Sequence, residues 1–259
     1  MINNIHYIML DRIFQPKHLY DLIRIGKDND GGYLVEKKSL KNAKSLISFG
    51  ISTDWSFEKD FYKLNPVSIH AYDHTVTKDF FYKTIIKSFL KIVTGKITLG
   101  IKSIMLYIDY LNFFRKDKVH FLEKIGTEKK STSLKKVFSR KQENEKPFLM
   151  KIDIDGSEYR IMDDLIENAS DITGLAIELH DVDIHKEKVK RFIENFPLTL
   201  VHIHPNNFAD LDKNGNPLVL EMTFSNSPTI INNNIPDIPH VLDQKCDPNS
   251  EERIIDFIV

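Results

Sequence analysis

Leu198-Thr-Leu-Val-His-Ile-His204 and Leu218-Val-Leu-Glu-Met-Thr-Phe224 are two apolar runs flanking the turn residues Asn214-Gly-Asn216, with no helical pattern between them. Each reads as a strand, and the pair reads as an antiparallel hairpin. What precedes them follows another rule. Ile172–Leu179 is a strand followed by a helix with Val189, Phe192, Ile193 and Phe196 at helical spacing. Phe148–Ile154 is the strongest strand, and Ile161, Met162, Leu165 and Ile166 share one face of the helix after it. Further back, Val119–Leu122, Val67–Tyr72 and Leu46–Phe49 are strands. Ser56 is placed to cap a helix carrying Phe57, Phe61 and Leu64. Alternating strands and helices that end in a strand pair predict an α/β fold. It is a doubly wound, mainly parallel, Rossmann-like sheet of seven strands with a C-terminal antiparallel hairpin.

The flanks complete the expectation. Pro16 to Ile25 reads as a first helix, with Pro16 in its first turn and Leu19, Leu22 and Ile23 on one face. Gly26 to Val35 reads as a tight turn entering a short strand, and the tail after Asn226, with four of the ten prolines, as irregular chain on the surface. An insertion at about residues 80–117 is helical in pattern, with Ile85, Ile86, Phe89 and Ile92, then Ile104, Leu106, Ile108 and Leu111. It suits an extra helical layer or a homodimer surface, with a substrate lid as the alternative. No repeat or Gly/Ser linker divides the chain, so residues 1–259 are expected to form one domain carrying this insertion.

Composition narrows the function. With 36 basic and 37 acidic residues and a formal net charge of −1, the chain offers no general field for nucleic acid, and a small-molecule partner is expected instead. Cys246 is the only cysteine, so no intrachain disulfide forms, in keeping with a reducing compartment. The start Met-Ile-Asn-Asn-Ile-His lacks the basic and apolar stretches of a secretory signal. The most apolar region, Ile97 to Phe114, is interrupted by Lys102 and Asp109 and makes a poor membrane span. A cytoplasmic location is the expectation.

In a doubly wound sheet, ligands sit beyond the carboxyl ends of the strands. Gly50 ends the first of these strands, and Asp73 ends the second, 23 positions on. A carboxylate about 20 residues past such a glycine suits the hydroxyls of a ribose. A turn glycine and a surface aspartate are the plain alternative. The loop Gly50-Ile-Ser-Thr-Asp-Trp-Ser56 has one glycine, not the three of a phosphate cradle. A nucleoside sulfonium without phosphate, S-adenosylmethionine, fits that loop better than a dinucleotide does. Asp54 and the Gly31-Gly32 turn are then candidates for the amino-acid end of such a cofactor. Trp55 is a candidate for packing on it, with core packing as the alternative.

Acid and imidazole groups gather at three later strand ends: Asp153 and Asp155, then Glu178, His180 and Asp181, then His202 and His204. Alternation places Asp153 with Asp155, and Glu178 with His180, on shared sides. Asp153 is the candidate for positioning an acceptor, and His180 and His204 are candidate bases. Asp155, Asp181, Asn206 and Asn207 are candidate acceptor contacts. The same groups suit a divalent metal, but no compact ligand spacing is present and no ligand set is assigned.

Four segments carry a family resemblance: Asn29-Asp-Gly-Gly-Tyr33, Ser48-Phe-Gly-Ile-Ser-Thr-Asp-Trp-Ser-Phe57, Lys151-Ile-Asp-Ile-Asp-Gly-Ser-Glu158 and His202-Ile-His-Pro-Asn-Asn207. Pro217-Leu-Val-Leu-Glu-Met-Thr-Phe224 extends them. In this order they resemble FkbM-type methyltransferases over most of the chain outside the insertion. The resemblance implies a class I methyltransferase fold and S-adenosylmethionine as methyl donor. It also implies a hydroxyl acceptor on a sugar or small polar metabolite, as in polysaccharide or glycoconjugate synthesis. The first loop departs from the pattern by lacking its second glycine. N-methylation of a small amine, an NAD-dependent oxidoreductase and a catalytically silent nucleoside-binding module are the competing functions.

Overall fold

The computed structural model describes residues 7–93 and 97–258. The amino-terminal hexapeptide read above and the side chain of Ile92 lie outside the described residues.

Seven strands form the central sheet: β1 (Ser45–Phe49), β2 (Ser68–Tyr72), β3 (Lys118–Phe121), β4 (Phe148–Ile152), β5 (Ile172–Leu179), β6 (Thr199–Pro205) and β7 (Leu220–Ser225). Their order is β6-β7-β5-β4-β1-β2-β3. β1 pairs in parallel with β2 and β4, β2 with β3, and β4 with β5. β7 runs antiparallel to both β5 and β6. The closing hairpin therefore folds back, with its second strand next to β5 and its first strand at the edge. The chain leaves β1 toward β3, then returns to β4 on the other side. β1 and β4 thus flank the switch point, where a crevice opens at the carboxyl edge.

The helices are α1 (Lys37–Asn42), α2 (Ser56–Leu64), α3 (Lys78–Val93), α4 (Ile97–Phe113), α5 (Leu134–Ser139), α6 (Met162–Glu167) and α7 (Val182–Asn195). Every residue of β1, β4 and β5 is buried, as expected of parallel strands covered on both faces. Neighbouring positions feed opposite layers. Ile47, Met150 and Ile177 join Leu165, Val189 and Phe192 on one side. Leu46, Leu149 and Ala176 join Phe57 and Phe61 on the other. Complete burial of a side chain such as Phe61 contributes about 1.5–3 kcal/mol.

Pro16 to Ile25 is not a helix. Leu22–Gly26 is a strand paired antiparallel with Gly32–Glu36, Ile25 opposite Tyr33 and Gly26 opposite Gly32. Leu19–Tyr20 pairs with Ile230–Asn232. The apolar spacing served a helix and a strand equally. The turn at residues 27–31 and the β-branched Ile23 and Ile25 favour the hairpin. Part of the tail is also regular, since Ile254–Ile258 pairs in parallel with Tyr7–Asp11. Ser56 is the first residue of α2, not its cap. The cap position is Trp55, whose side chain makes no capping bond, and Asp54 Oδ1 accepts from the Ser56 amide at 2.9 Å.

The insertion is a helical hairpin of α3 and α4. Phe81 near the start of α3 meets Tyr107 and Tyr110 late in α4, each pair of ring centroids 4.7 Å apart, so the two helices run antiparallel. Trp55 anchors the pair. It is 2% exposed, packs on Tyr110 and Phe114, and donates from Nε1 to Asp109 at 2.8 Å.

His70, on β2, shows how burial couples to pH. Burial and the Lys141 charge hold its imidazole down to about 4, and its Nδ1 is enclosed with no hydrogen-bond partner among the described residues. An unfolded histidine takes its proton near pH 6.5, and the folded one only near 4. His70 therefore withdraws stability as pH falls through that window. In urea unfolding between those pH values, the native protein should lose more stability than His70→Gln. Parallel losses would contradict this.

Candidate active site

The crevice at the switch point is a cleft of about 660 Å3. Its walls include Asp30, Gly50, Asp73, Glu123, Asp153, Asp155, Glu178, His180 and Asn206. Six of these nine carry carboxyl groups, and the wall also includes Lys124 and His74, so acid outweighs base and the cleft favours cationic ligands over phosphates.

The centre is a buried acid–base network. Lys151 on β4 donates to Gly50 O at 2.6 Å and Asp153 Oδ2 at 3.2 Å, joining the ends of β1 and β4. Burial disfavours its ammonium, but Asp153 and Glu58 outweigh that and raise its pKa. Tyr33 Oη donates to Glu178 Oε2 at 2.7 Å and approaches Asp153 Oδ2 at 3.3 Å. Asn206 Nδ2 donates to Glu178 Oε1 at 3.3 Å. Burial, Asp153 and Glu221 lift the Glu178 carboxyl far above the usual carboxylate range, so it holds its proton at neutral pH.

His180 follows β5. Its Nδ1 lies 3.1 Å from Glu158 Oε1, and Glu158 is fully buried. Nε2 stands 3.7 Å from Glu178 Oε1 and 4.0 Å from an oxygen of each of Asp153 and Asp155. Burial opposes the imidazolium, but Glu158 and the cleft carboxylates outweigh it and raise His180 to about 9. Glu158 contributes most to that rise, with Glu178 and Asp153 behind it. Asp153, Asp155 and His180 each offer a ligand atom within 4.8 Å of one another, a set that also suits a divalent cation.

The expected cofactor residues are placed unevenly. Gly50 and Asp73 face the same cleft. Asp73, however, accepts from Ile51 N and Ser52 N on Oδ2, and from Thr75 N and Oγ1 on Oδ1, at 2.6–3.1 Å. Burial pushes its carboxyl up, but the Thr75 and Ser52 donors prevail and hold it below its usual range. These donors fill the lone pairs expected for ribose hydroxyls, so ribose contact would require some of them to move. Gly50 is demanded by protein packing, since a Cβ there would fall 1.7 Å from Asp153 O. Gly32 is likewise filled by Arg24, whose Nη1 would be 1.9 Å from an added Cβ. Gly31 faces Asp54 Oδ2. That oxygen is buried and accepts no hydrogen bond among the described residues, with Lys27 Nζ at 3.8 Å. Trp55 packs under the helical hairpin, not on the cleft.

Of the residues expected to contact an acceptor, Asp153, Asp155, His180 and Asn206 line the cleft. Asp155 and Asp181 both have left-handed backbones, with φ of 50° and 51°, but Asp181 sits beside Gly156, outside the cleft lining. His204 is not a base facing the cleft. It is 1% exposed, with Nδ1 3.2 Å from Glu221 and Nε2 3.4 Å from Glu252. Cys246 Sγ also lies 3.1 Å from Glu221, and burial pushes its thiol up to about 12. Asn207 is buried and ties down the tail, donating to Asp247 O and accepting from Asp247 N. His202 pairs with Asp243 at 3.0 Å. Sequence reasoning missed Tyr33 and Lys151 as site members. A tyrosine closing the Asn29-Asp-Gly-Gly-Tyr33 segment and a lysine inside an otherwise apolar strand were the signals on offer.

No family model and no curated protein matches the chain. Among solved structures it is similar to an rRNA methylase from Streptococcus thermophilus, at 11% identity over 74% of this chain and 92% of that one, with a TM-score of 0.39. It is also similar to the Methanococcus jannaschii fibrillarin pre-rRNA processing protein, at 12% identity over 72% and 68%, with a TM-score of 0.38. A candidate RNA methyltransferase from Pyrococcus horikoshii is 9% identical over 75% and 77%, with a TM-score of 0.39. At this distance the likeness carries no functional argument, and the groups of the cleft must supply one.

Proposed function

We propose that the protein is an S-adenosylmethionine-dependent methyltransferase that O-methylates a sugar or another small polar metabolite. The observation that carries this is the acidic cleft at the switch point, with His180 Nε2 directed among its carboxylates. S-adenosylmethionine has a sulfonium and an ammonium group, and a carboxylate-lined cleft complements both. Asp54 Oδ2, beside the Gly31 turn but outside the cleft lining, would suit the ammonium if it displaced Lys27 Nζ, which stands 3.8 Å away. Gly50, Ser52 and Asp73 line the cleft and would sit beside the nucleoside, with some of the donors to Asp73 moving to free its carboxylate. The resemblance of the motifs to FkbM-type methyltransferases points the same way.

When bound, the cofactor supplies an already activated methyl group. The protein's task is to align a hydroxyl and remove its proton. Glu158 accepts from His180 Nδ1–H and leaves Nε2 to receive that proton. Asp153 and Asn206 position the acceptor, with Asp155 at the rim. A formal net charge of −1 and the carboxylate lining support a small neutral acceptor over a nucleic acid.

Calorimetric titration with S-adenosylmethionine and S-adenosylhomocysteine tests the donor. Both should bind. Asp54→Asn, which keeps an oxygen for the Ser56 amide, should weaken S-adenosylmethionine by about tenfold through loss of one charged contact. Absence of binding by either compound would overturn the donor assignment. Mass spectrometry of products from hydroxyl and amine acceptors then separates O- from N-methylation.

A further inference from the structure

We propose that the α3–α4 hairpin is a docking surface for an anionic lipid bilayer, on which the protein lies without spanning it. α3 exposes Tyr82, Ile86, Phe89 and Val93, three or four residues apart, so they form one stripe. Phe89 is 67% and Val93 76% exposed, well beyond what isolated surface apolar residues require. α4 exposes Ile101, Met105 and Ile108 at the same spacing, Met105 being 61% exposed. The opposite faces of both helices are accounted for, because Phe81, Tyr107 and Tyr110 pack between them and Trp55 packs beneath.

Charge identifies the occupant. Residues 78–113 contain Lys78, Lys83, Lys87, Lys91, Lys96 and Lys102 against two acids, Asp79 and Asp109. Asp109 is engaged by Lys59 and Trp55. The whole chain is balanced, so this basic excess is local. On the helical wheel of α3, Lys83 and Lys87 follow the stripe at its flank, and both are exposed. An apolar stripe edged by lysines matches the boundary between acyl chains and anionic headgroups. A second copy matches less well, since a twofold pairing would bring lysine flanks together without an opposing acidic row. RNA would leave the apolar stripes unused. No helix among the described residues is long and apolar enough to cross a membrane.

The place of the hairpin gives docking a use. α3 begins five residues after Asp73, and His74 and Thr75 on the way line the cleft. Docking brings the cleft within reach of an acceptor held at the lipid surface. The docking itself does not rest on the methyl-transfer proposal.

Co-sedimentation of the full chain with phosphatidylcholine vesicles, with and without phosphatidylglycerol, is the test. The protein should pellet only with the anionic vesicles, and less as salt is raised. The double variants Ile86→Ser/Phe89→Ser and Lys83→Ser/Lys87→Ser should each reduce the bound fraction about tenfold or more. Phe89→Trp, in an otherwise intact chain, should shift its emission to the blue on anionic vesicles. Failure to pellet, pelleting unaffected by both double variants, or an unshifted Phe89→Trp emission would overturn the proposal. So would a dimer abolished by Ile86→Ser/Phe89→Ser, or RNA binding abolished by Lys83→Ser/Lys87→Ser, in a protein that ignores vesicles.

Discussion

His180→Ala should lower kcat for methyl transfer by about 10²- to 10⁴-fold, the usual contribution of a positioned general base, while affinity for S-adenosylmethionine stays within a few-fold. The imidazole has Nδ1 bonded to a buried carboxylate, Glu158, and Nε2 directed at the cleft carboxylate of Asp153. A raised pKa of about 9 gives the prediction a pH signature. At neutral pH the ring carries its proton, and only the neutral fraction can accept another. The rate should therefore climb about tenfold per pH unit below 9 and level off above it. Glu158→Gln removes the charge that favours the imidazolium, so the plateau should begin at lower pH. A flat profile in the native protein, or an unshifted one in Glu158→Gln, would remove His180 from the base role. A purely structural histidine would change stability without moving the profile.

Gly50→Ala should destabilise the fold by about 3 kcal/mol or more, read as a lowered urea midpoint. Two independent costs combine here. The residue has φ of +73°, a region that side chains populate at a cost of about 1–3 kcal/mol. The added carbon would also fall 1.7 Å from Asp153 O and 2.8 Å from its carbonyl carbon. Neither atom is the end of a flexible side chain, so β4 would have to move. That movement would disturb the Lys151 contacts to Gly50 O and Asp153, and cofactor binding should weaken with stability. A change under about 1 kcal/mol would mean that β1 and β4 do not meet as described.

The Gly50 result bears on how far the site was legible. A glycine ending the first strand and an aspartate 23 residues later both line one cleft. Their stated duties were not visible in that spacing. Gly50 yields to a neighbouring carbonyl, and the Asp73 carboxylate is filled by four protein donors. Trp55 was open between cofactor and core, and it is 2% exposed against Asp109 and Tyr110 of α4 and Phe114 just beyond it, which favours the core. His180 and His204 were alike in sequence, each in a strand-end cluster. One has a nitrogen facing the cleft, whereas the other is enclosed by Glu221, Glu252 and Cys246.

Runs of apolar residues, their period and the turns between them determined by themselves the sheet, its parallel body and its closing hairpin. Those signals are local, and burial on both faces of a strand requires them whatever lies beside it. The tertiary structure alone decided which polar groups meet. Tyr33 reaches Glu178 across 145 residues, and Glu252 reaches His204 across 48. It also decided that Leu22–Gly26 is a strand, because an ambiguous apolar spacing is resolved by the partner that completes its hydrogen bonds.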